Sequence, residues 1–226
     1  MIIVVPARGG SKRVPLKNIH LLMGKPLLSY TLESISASGL DIPTYVSTDN
    51  EQIASLAKSY PGIEVLMRPQ HISDDNASTE SVLLHVLDIV SDSSKIPKWL
   101  MTLPPTSPFR SPATIRKFAL EAMSCEISVD SLMSVTENRG DFWQMHKNGL
   151  MKRVSPNAAR RQQDREPFYE ENSAVYLTRT TALRKTEFIL GKNVRGITIP
   201  FLEAVDINNN EDFLFAECLY NYFLKK

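Results

Sequence analysis

Arg8, Lys12, Arg13, Lys17 and Lys25 all precede Glu33, the first carboxylate of a chain whose formal net charge is only +1. A local excess of cations of this kind suits a strongly anionic ligand. The apolar run Ile2-Ile3-Val4-Val5 reads as a buried strand, and Pro6-Ala7-Arg8-Gly9-Gly10-Ser11-Lys12-Arg13-Val14-Pro15-Leu16-Lys17-Asn18 follows it directly. A small-residue turn at a strand end can gather backbone N–H groups and cationic side chains around phosphates, although the same composition also makes a plain surface turn. Neither G-x-x-x-x-G-K-[ST] nor G-x-G-x-x-G lies near this strand, which disfavours a P-loop kinase or a dinucleotide fold.

Further chemistry-bearing pieces follow in order: Val46-Ser47-Thr48-Asp49, Met67-Arg68-Pro69, Asp74-Asp75-Asn76-Ala77-Ser78-Thr79-Glu80, Leu103-Pro104-Pro105-Thr106-Ser107-Pro108-Phe109-Arg110, Arg161-Gln162-Gln163-Asp164, Asn172-Ser173-Ala174-Val175-Tyr176 and Ala204-Val205-Asp206-Ile207-Asn208. Each is short, but their order and spacing over residues 2 to 215 resemble the acylneuraminate cytidylyltransferase family, whose opening runs P-A-R-G-G-S-K-x-[IV]-P-x-K-N. The resemblance implies a three-layer α/β fold with a mostly parallel, Rossmann-like sheet of the nucleotide-diphospho-sugar transferase type. It also implies a reaction in which a nonulosonic acid attacks the α-phosphate of CTP through its anomeric 2-hydroxyl, giving a CMP-sugar and pyrophosphate.

By the same resemblance, Arg8 and Lys17 grip the triphosphate, with Lys12 and the N–H groups of Gly9, Gly10 and Ser11, while Asn18 supports the loop or the ribose. Neutralising charge along the triphosphate is what departure of pyrophosphate requires. Arg68, Ala77 and Thr79 stand where the family reads the cytosine edge. Pro104, Thr106, Ser107, Arg161, Gln162, Gln163 and Tyr176 stand where it holds the sugar, whose carboxylate suits an arginine and whose acylamino groups suit amides. Asp206 and Asn208 occupy the Mg²⁺ position, with Asp206 or its metal-bound water helping to remove the hydroxyl proton.

The chain departs from the family pattern in four places. Arg13 stands where many members have glycine, either adding charge or facing water. Asn208 replaces the second carboxylate of Asp-x-Asp, a pair that strand periodicity places on one face, so a weaker Mg²⁺ site is expected; alternatively, Asn208 to Asn210 form only a turn and helix cap. Pro104 stands where glutamine commonly touches the sugar, and Ser173 stands where glycine is common. The last two favour a deoxy or diacylated sugar such as legionaminate or pseudaminate over N-acetylneuraminate.

Positioning these residues requires a regular framework. The spacing predicts strands over 2–5, 44–48, 63–67, 98–103, 174–178, 194–200 and 205–207. Helices are predicted from Leu27 to Ile35, Glu51 to Ser59, Glu80 to Val90, Thr114 to Met123 and Glu211 to Leu224, with Asp49 or Asn50, Ser78 or Thr79, and Asn210 as caps. Alternation of this kind implies a parallel sheet covered on both faces, with ligands outside the carboxyl ends of its strands. Residues 138 to 172 lack sustained periodicity but carry Phe142, Trp143, Phe168, Tyr169 and the basic residues Lys152, Arg153, Arg160, Arg161 and Arg165. A structureless loop of that length is improbable. A projecting arm of short strands is expected instead, and the resemblance makes it a dimerisation element reaching the partner's active site.

The 226 residues, 42% apolar, suffice for one α/β domain spanning 1–226. The near-neutral charge gives no reason to invoke nucleic acid. The opening apolar run is too short for a signal peptide and no run reaches the roughly twenty residues that span a bilayer, so a cytoplasmic protein off the membrane is expected. Cys125 and Cys218 are expected as buried thiols. His20, His71, His85 and His146 are too scattered for a catalytic or metal role. Two rival readings are a sugar-1-phosphate nucleotidyltransferase, whose usual Gly-x-Gly-x-Arg opening is absent, and a nucleotide-binding homologue impaired in catalysis through Asn208.

Overall fold

The computed structural model describes residues 1–73, 77–93 and 96–224; the motif residues Asp74, Asp75 and Asn76 lie outside them. The strands are β1 (Ile2–Pro6), β2 (Leu21–Leu22), β3 (Lys25–Pro26), β4 (Thr44–Thr48), β5 (Ile63–Met67), β6 (Trp99–Thr102), β7 (Ser131–Asn138), β8 (Trp143–Met145), β9 (Met151–Arg153), β10 (Phe168–Arg179) and β11 (Val194–Thr198). The helices are α1 (Leu27–Ala37), α2 (Glu51–Lys58), α3 (Thr79–Ser93), α4 (Pro112–Ser124), α5 (Thr180–Thr186) and α6 (Asn210–Leu219), the last extended by a π-helical turn at Tyr220–Leu224.

Seven strands form one sheet in the order β11-β7-β10-β6-β1-β4-β5. Its ladders are parallel except the two made by β10, which runs antiparallel to both β6 and β7. The Rossmann-like, mostly parallel expectation therefore holds. β1 is buried on both faces because its side chains alternate across the sheet. Ile3 and Val5 join Leu28, Leu32, Ile53, Ile115 and Phe118 on one side, whereas Ile2 and Val4 join Leu83, Val86, Leu87 and Leu183 on the other. A third apolar cluster, with Val14, Leu22, Leu27, Val205, Ile207 and Phe213, pins the opening loop and the segment before α6 to the β2–β3 hairpin.

Several local expectations need correction. Residues 205–207 pair with no strand; the segment is fixed instead by burial of Val205 and Ile207 and by donation of the Ile207 amide to Thr106 O at 2.8 Å. The cap of α6 is Asn209, not Asn210, and it forms a capping box with Asp212. Strand β7 and helix α5 were not anticipated, because Ser131, Ser134 and Thr136 interrupt the apolar pattern of β7 and are satisfied by partners that only the fold supplies. Cys125 is half-buried and Cys218 exposed, both as free thiols, rather than both being buried. The Asn50 cap is as expected, its side chain accepting from the amides of Gln52 and Ile53, and Ser78 Oγ accepts from the Ser81 amide.

The arm has the predicted short strands. β7 and β10 run on as a ribbon, pairing Phe168 with Asn138 and Tyr169 with Glu137, and β8 and β9 form a separate hairpin between them. Asp141 organises the basic cluster: Arg153 donates to its two oxygens at 2.7 and 2.9 Å, with Arg165 3.6 Å away. Much of that cluster is therefore internal scaffolding. Trp143, Met145, Leu150 and Met151 are left exposed on the hairpin.

Candidate active site

The opening loop leaves β1 where the Ala7 amide still donates to Ser47 O in β4. Gly9 lies against α2: a Cβ there would come within 2.7 Å of Asn50 Cβ, so the turn needs glycine. The Gly9 amide, expected as a phosphate donor, donates here to Asp49 Oδ1 at 2.7 Å. The loop closes through Asn18, whose buried Nδ2 donates to Arg8 O at 2.8 Å. Asn18 thus supports the loop, one of its two expected roles. Lys17 Nζ donates to Ile207 O at 2.8 Å, tying the loop to the segment before α6. Desolvation lowers the Lys17 pKa below the ordinary lysine range, and the nearby Asp206 charge opposes that shift.

Arg8, Ser11, Lys17 and Asn18 form one wall of a crevice of about 460 Å³. A volume of that order suits a small-molecule ligand. Arg68, Ala77 and Thr79 line it from the side of β5 and α3. The Arg68 guanidinium is anchored on Ser47, donating to its Oγ at 3.0 Å and its carbonyl at 2.9 Å, and burial draws its pKa down to about 10. With two of five N–H donors committed among the described residues, the group retains capacity for a ligand.

Pro104, Thr106 and Tyr176 form the opposite wall, together with Thr102 and Ser173. Behind it lies Arg110, fully buried, which donates through Nη1 to Ala174 O at 2.6 Å and Pro104 O at 3.3 Å and through Nη2 to Thr31 Oγ1 at 2.9 Å. Burial draws its pKa down to about 9, opposed by Glu203, so it remains a cation at neutral pH. Arg110 holds both loops of this wall and was given no role from sequence, although it closes the Leu103 to Arg110 motif. Ser107 is the correction here: its side chain is buried, with Oγ unpartnered among the described residues, and it does not line the crevice. Glu80 lines the crevice and was likewise not expected.

Asp206 stands beside this space, its charge acting on both Lys17 and Tyr176. Asn208 donates its side-chain amide to Asp206 Oδ2 at 2.6 Å, while Asp206 Oδ1 is buried without a hydrogen-bond partner among the described residues. An orphaned carboxylate oxygen fits a hard cation that takes most of its ligands from substrate phosphates, whereas Asn208 turns its N–H side, not its carbonyl, toward Asp206. Among the described residues no cluster of three or more His, Cys, Asp or Glu offers a metal cage.

Gly10 and Lys12 are exposed and lie outside the crevice lining. So do Arg161, Gln162 and Gln163, exposed around a short 3₁₀ turn in the arm, and this chain alone does not bring them to the crevice.

The chain is similar in fold to a CMP:2-keto-3-deoxy-manno-octonic acid synthetase complexed with CTP, with a TM-score of 0.67 at 14% identity over 97% of this chain and 98% of that one. Among curated sequences the chain is 28% identical to the pseudaminic acid cytidylyltransferase of Campylobacter jejuni, covering 96% of this chain and 94% of the relative. It is 29% identical to the CMP-N,N'-diacetyllegionaminic acid synthase of Legionella pneumophila, covering 97% and 95% respectively. The sequence profile of the Cytidylyltransferase family matches residues 2–196, the span that carries the opening loop, the crevice walls and Arg110, and the chain therefore belongs to the cytidylyltransferase family.

Proposed function

We propose that this protein is a CMP-nonulosonic acid synthetase, joining CMP from CTP to the anomeric 2-hydroxyl of a sialic-acid-like sugar and releasing pyrophosphate. The observation that carries the reading is the convergence of Arg8, Lys17 and Arg68 with Pro104, Thr106 and Tyr176 on one crevice, in a chain covered almost end to end by pseudaminate and legionaminate cytidylyltransferases. Arg8 and Lys17 neutralise the triphosphate while Arg68 and the backbone near Ala77 and Thr79 read the cytosine. The sugar lies along Pro104, Thr106 and Tyr176. Its 2-hydroxyl oxygen bonds to the α-phosphorus as the bond to the bridging oxygen breaks, pyrophosphate departs with its charge balanced by Lys17 and Arg8, and the hydroxyl proton leaves toward Asp206. Asp206, with Asn208 and the phosphate oxygens, would hold Mg²⁺, which supplies further charge neutralisation when bound.

We assign the arm to a homodimer contact. Support comes from its exposed Trp143, Met145 and Met151 and from the position of Arg161 outside its own crevice, where only a second chain gives it a sugar carboxylate to bind. A cytoplasmic setting fits the two free thiols and the supply of CTP; no described helix is long and apolar enough to cross a membrane.

The test is incubation with CTP, Mg²⁺ and a panel of N-acetylneuraminate, legionaminate, pseudaminate and 3-deoxy-octulosonate, with CMP-sugar and pyrophosphate both quantified. Formation of a CMP-sugar from at least one acid is expected. Binding of CTP by calorimetry with no product from any acid would leave a nucleotide-binding homologue instead.

A further inference from the structure

Strand β10 leaves its ladder with β7 after Glu171 and rejoins it at Tyr176, and within this irregularity Ser173 has φ +60°. A left-handed backbone imposes a steric cost on any residue with a Cβ, which glycine avoids. The surroundings hold the conformation in place. Asn172 Nδ2 donates to Thr136 Oγ1, Ser134 Oγ donates to Asn172 Oδ1, the Val175 amide donates to Ser134 Oγ, and Arg110 holds Ala174 O. Bulges beside active sites re-aim a side chain. The one re-aimed here is the Ser173 hydroxyl, which lines the crevice with its Oγ 3.0 Å from Tyr176 Oη.

The direction of that hydrogen bond follows from proton counting. Tyr176 has one hydroxyl proton and contacts both the Glu171 carboxylate and Ser173 Oγ. The carboxylate is the stronger acceptor and takes it. The Ser173 contact must then use the serine's own proton, so Ser173 donates inward to Tyr176 and presents only lone pairs to the crevice. Burial and the Glu171 contact also push the tyrosine pKa up, which keeps it a neutral donor.

We propose that Ser173, oriented by Tyr176 and Glu171, is a specificity-determining residue whose Oγ accepts a hydrogen bond from a hydroxyl or amide N–H of the acceptor sugar. The proposal rests on the CMP-sugar synthetase reading and deepens it. An acceptor-only serine backed by a carboxylate selects a donor and repels an anionic substituent at the same place, so the sugar's own carboxylate must lie elsewhere.

Ser173→Gly and Ser173→Ala, compared with wild type on the acid panel with CTP and acid varied separately, test this. Glycine removes the left-handed penalty together with the hydroxyl, while alanine removes the hydroxyl alone. Both variants should lose about tenfold in kcat/KM for the best acid, mainly through a raised acceptor KM, with the KM for CTP unchanged. Ser173→Gly should melt no lower than wild type, which separates the loss from a folding defect. Unchanged acceptor kcat/KM in both variants, beside an active wild type, overturns this proposal and leaves the reaction standing. An equal loss toward CTP and acceptor also overturns it, by showing a merely structural role. A wild type that makes no CMP-sugar overturns the reaction and this proposal together.

Discussion

The buried Arg110 guanidinium donates to the carbonyl of Ala174 at 2.6 Å, joining the strand that carries Ser173 and Tyr176 to the loop that carries Pro104 and Thr106. A single buried cation thereby braces the wall of the crevice formed by Pro104, Thr106, Ser173 and Tyr176.

Arg110→Ala should therefore cost about 3 kcal/mol of folding stability, since it opens a cavity and deprives the buried Ala174 carbonyl, the half-buried Pro104 carbonyl and the Thr31 hydroxyl of a donor. Arg110→Met, which keeps most of the volume, should lose less. Urea denaturation of the three proteins reads this directly. Equal midpoints for wild type and Arg110→Ala would show that the contacts carry no net stability.

Lys17 should set the alkaline limb of activity. Its pKa is lowered chiefly by desolvation, so as pH rises the free enzyme loses this charge earlier than an ordinary lysine would, and kcat/KM for CTP should fall with it. Lys17→Arg should move that limb to higher pH, and Lys17→Ala should lower kcat/KM by about a hundredfold at neutral pH. Superimposable pH profiles for wild type and Lys17→Arg would remove Lys17 from the titration.

Arg161 should act from a neighbouring subunit. Arg8→Ala and Arg161→Ala proteins, each inactive alone, should regain part of the activity when mixed and allowed to exchange subunits, because one of the two sites in a hybrid dimer is then intact. A monomer by light scattering, or no recovery after verified exchange, would place Arg161 outside the site.

Asn208 now ties up one oxygen of Asp206. Asn208→Asp replaces that donor with a second carboxylate, and the half-saturating Mg²⁺ concentration for the initial rate should fall; Asp206→Asn should nearly abolish turnover. An unchanged Mg²⁺ requirement in Asn208→Asp would put position 208 outside the metal's reach and leave it as part of the turn before α6.

Much of the fold could be read directly from the chain, because β1, β5 and β6 are largely apolar and β4 is rich in β-branched and aromatic residues, with helices of ordinary periodicity between them, and the cations of the opening loop stand out by composition alone. Those signals are local, and so they survive in one dimension. β7 escaped notice because its polar residues are satisfied by partners dozens of positions away, and residues 205–207 were misread because their alternation reflects burial under α6 rather than pairing in a sheet. Arg8, Lys17, Arg68 and Tyr176, singled out from the sequence, all line the one crevice, whereas the commitment of the Gly9 amide to Asp49, the burial of Ser107 and the bracing by Arg110 were not legible. Each of those depends on which groups meet across the crevice and how their few donors are shared, and long-range hydrogen-bond satisfaction has no periodicity to betray it.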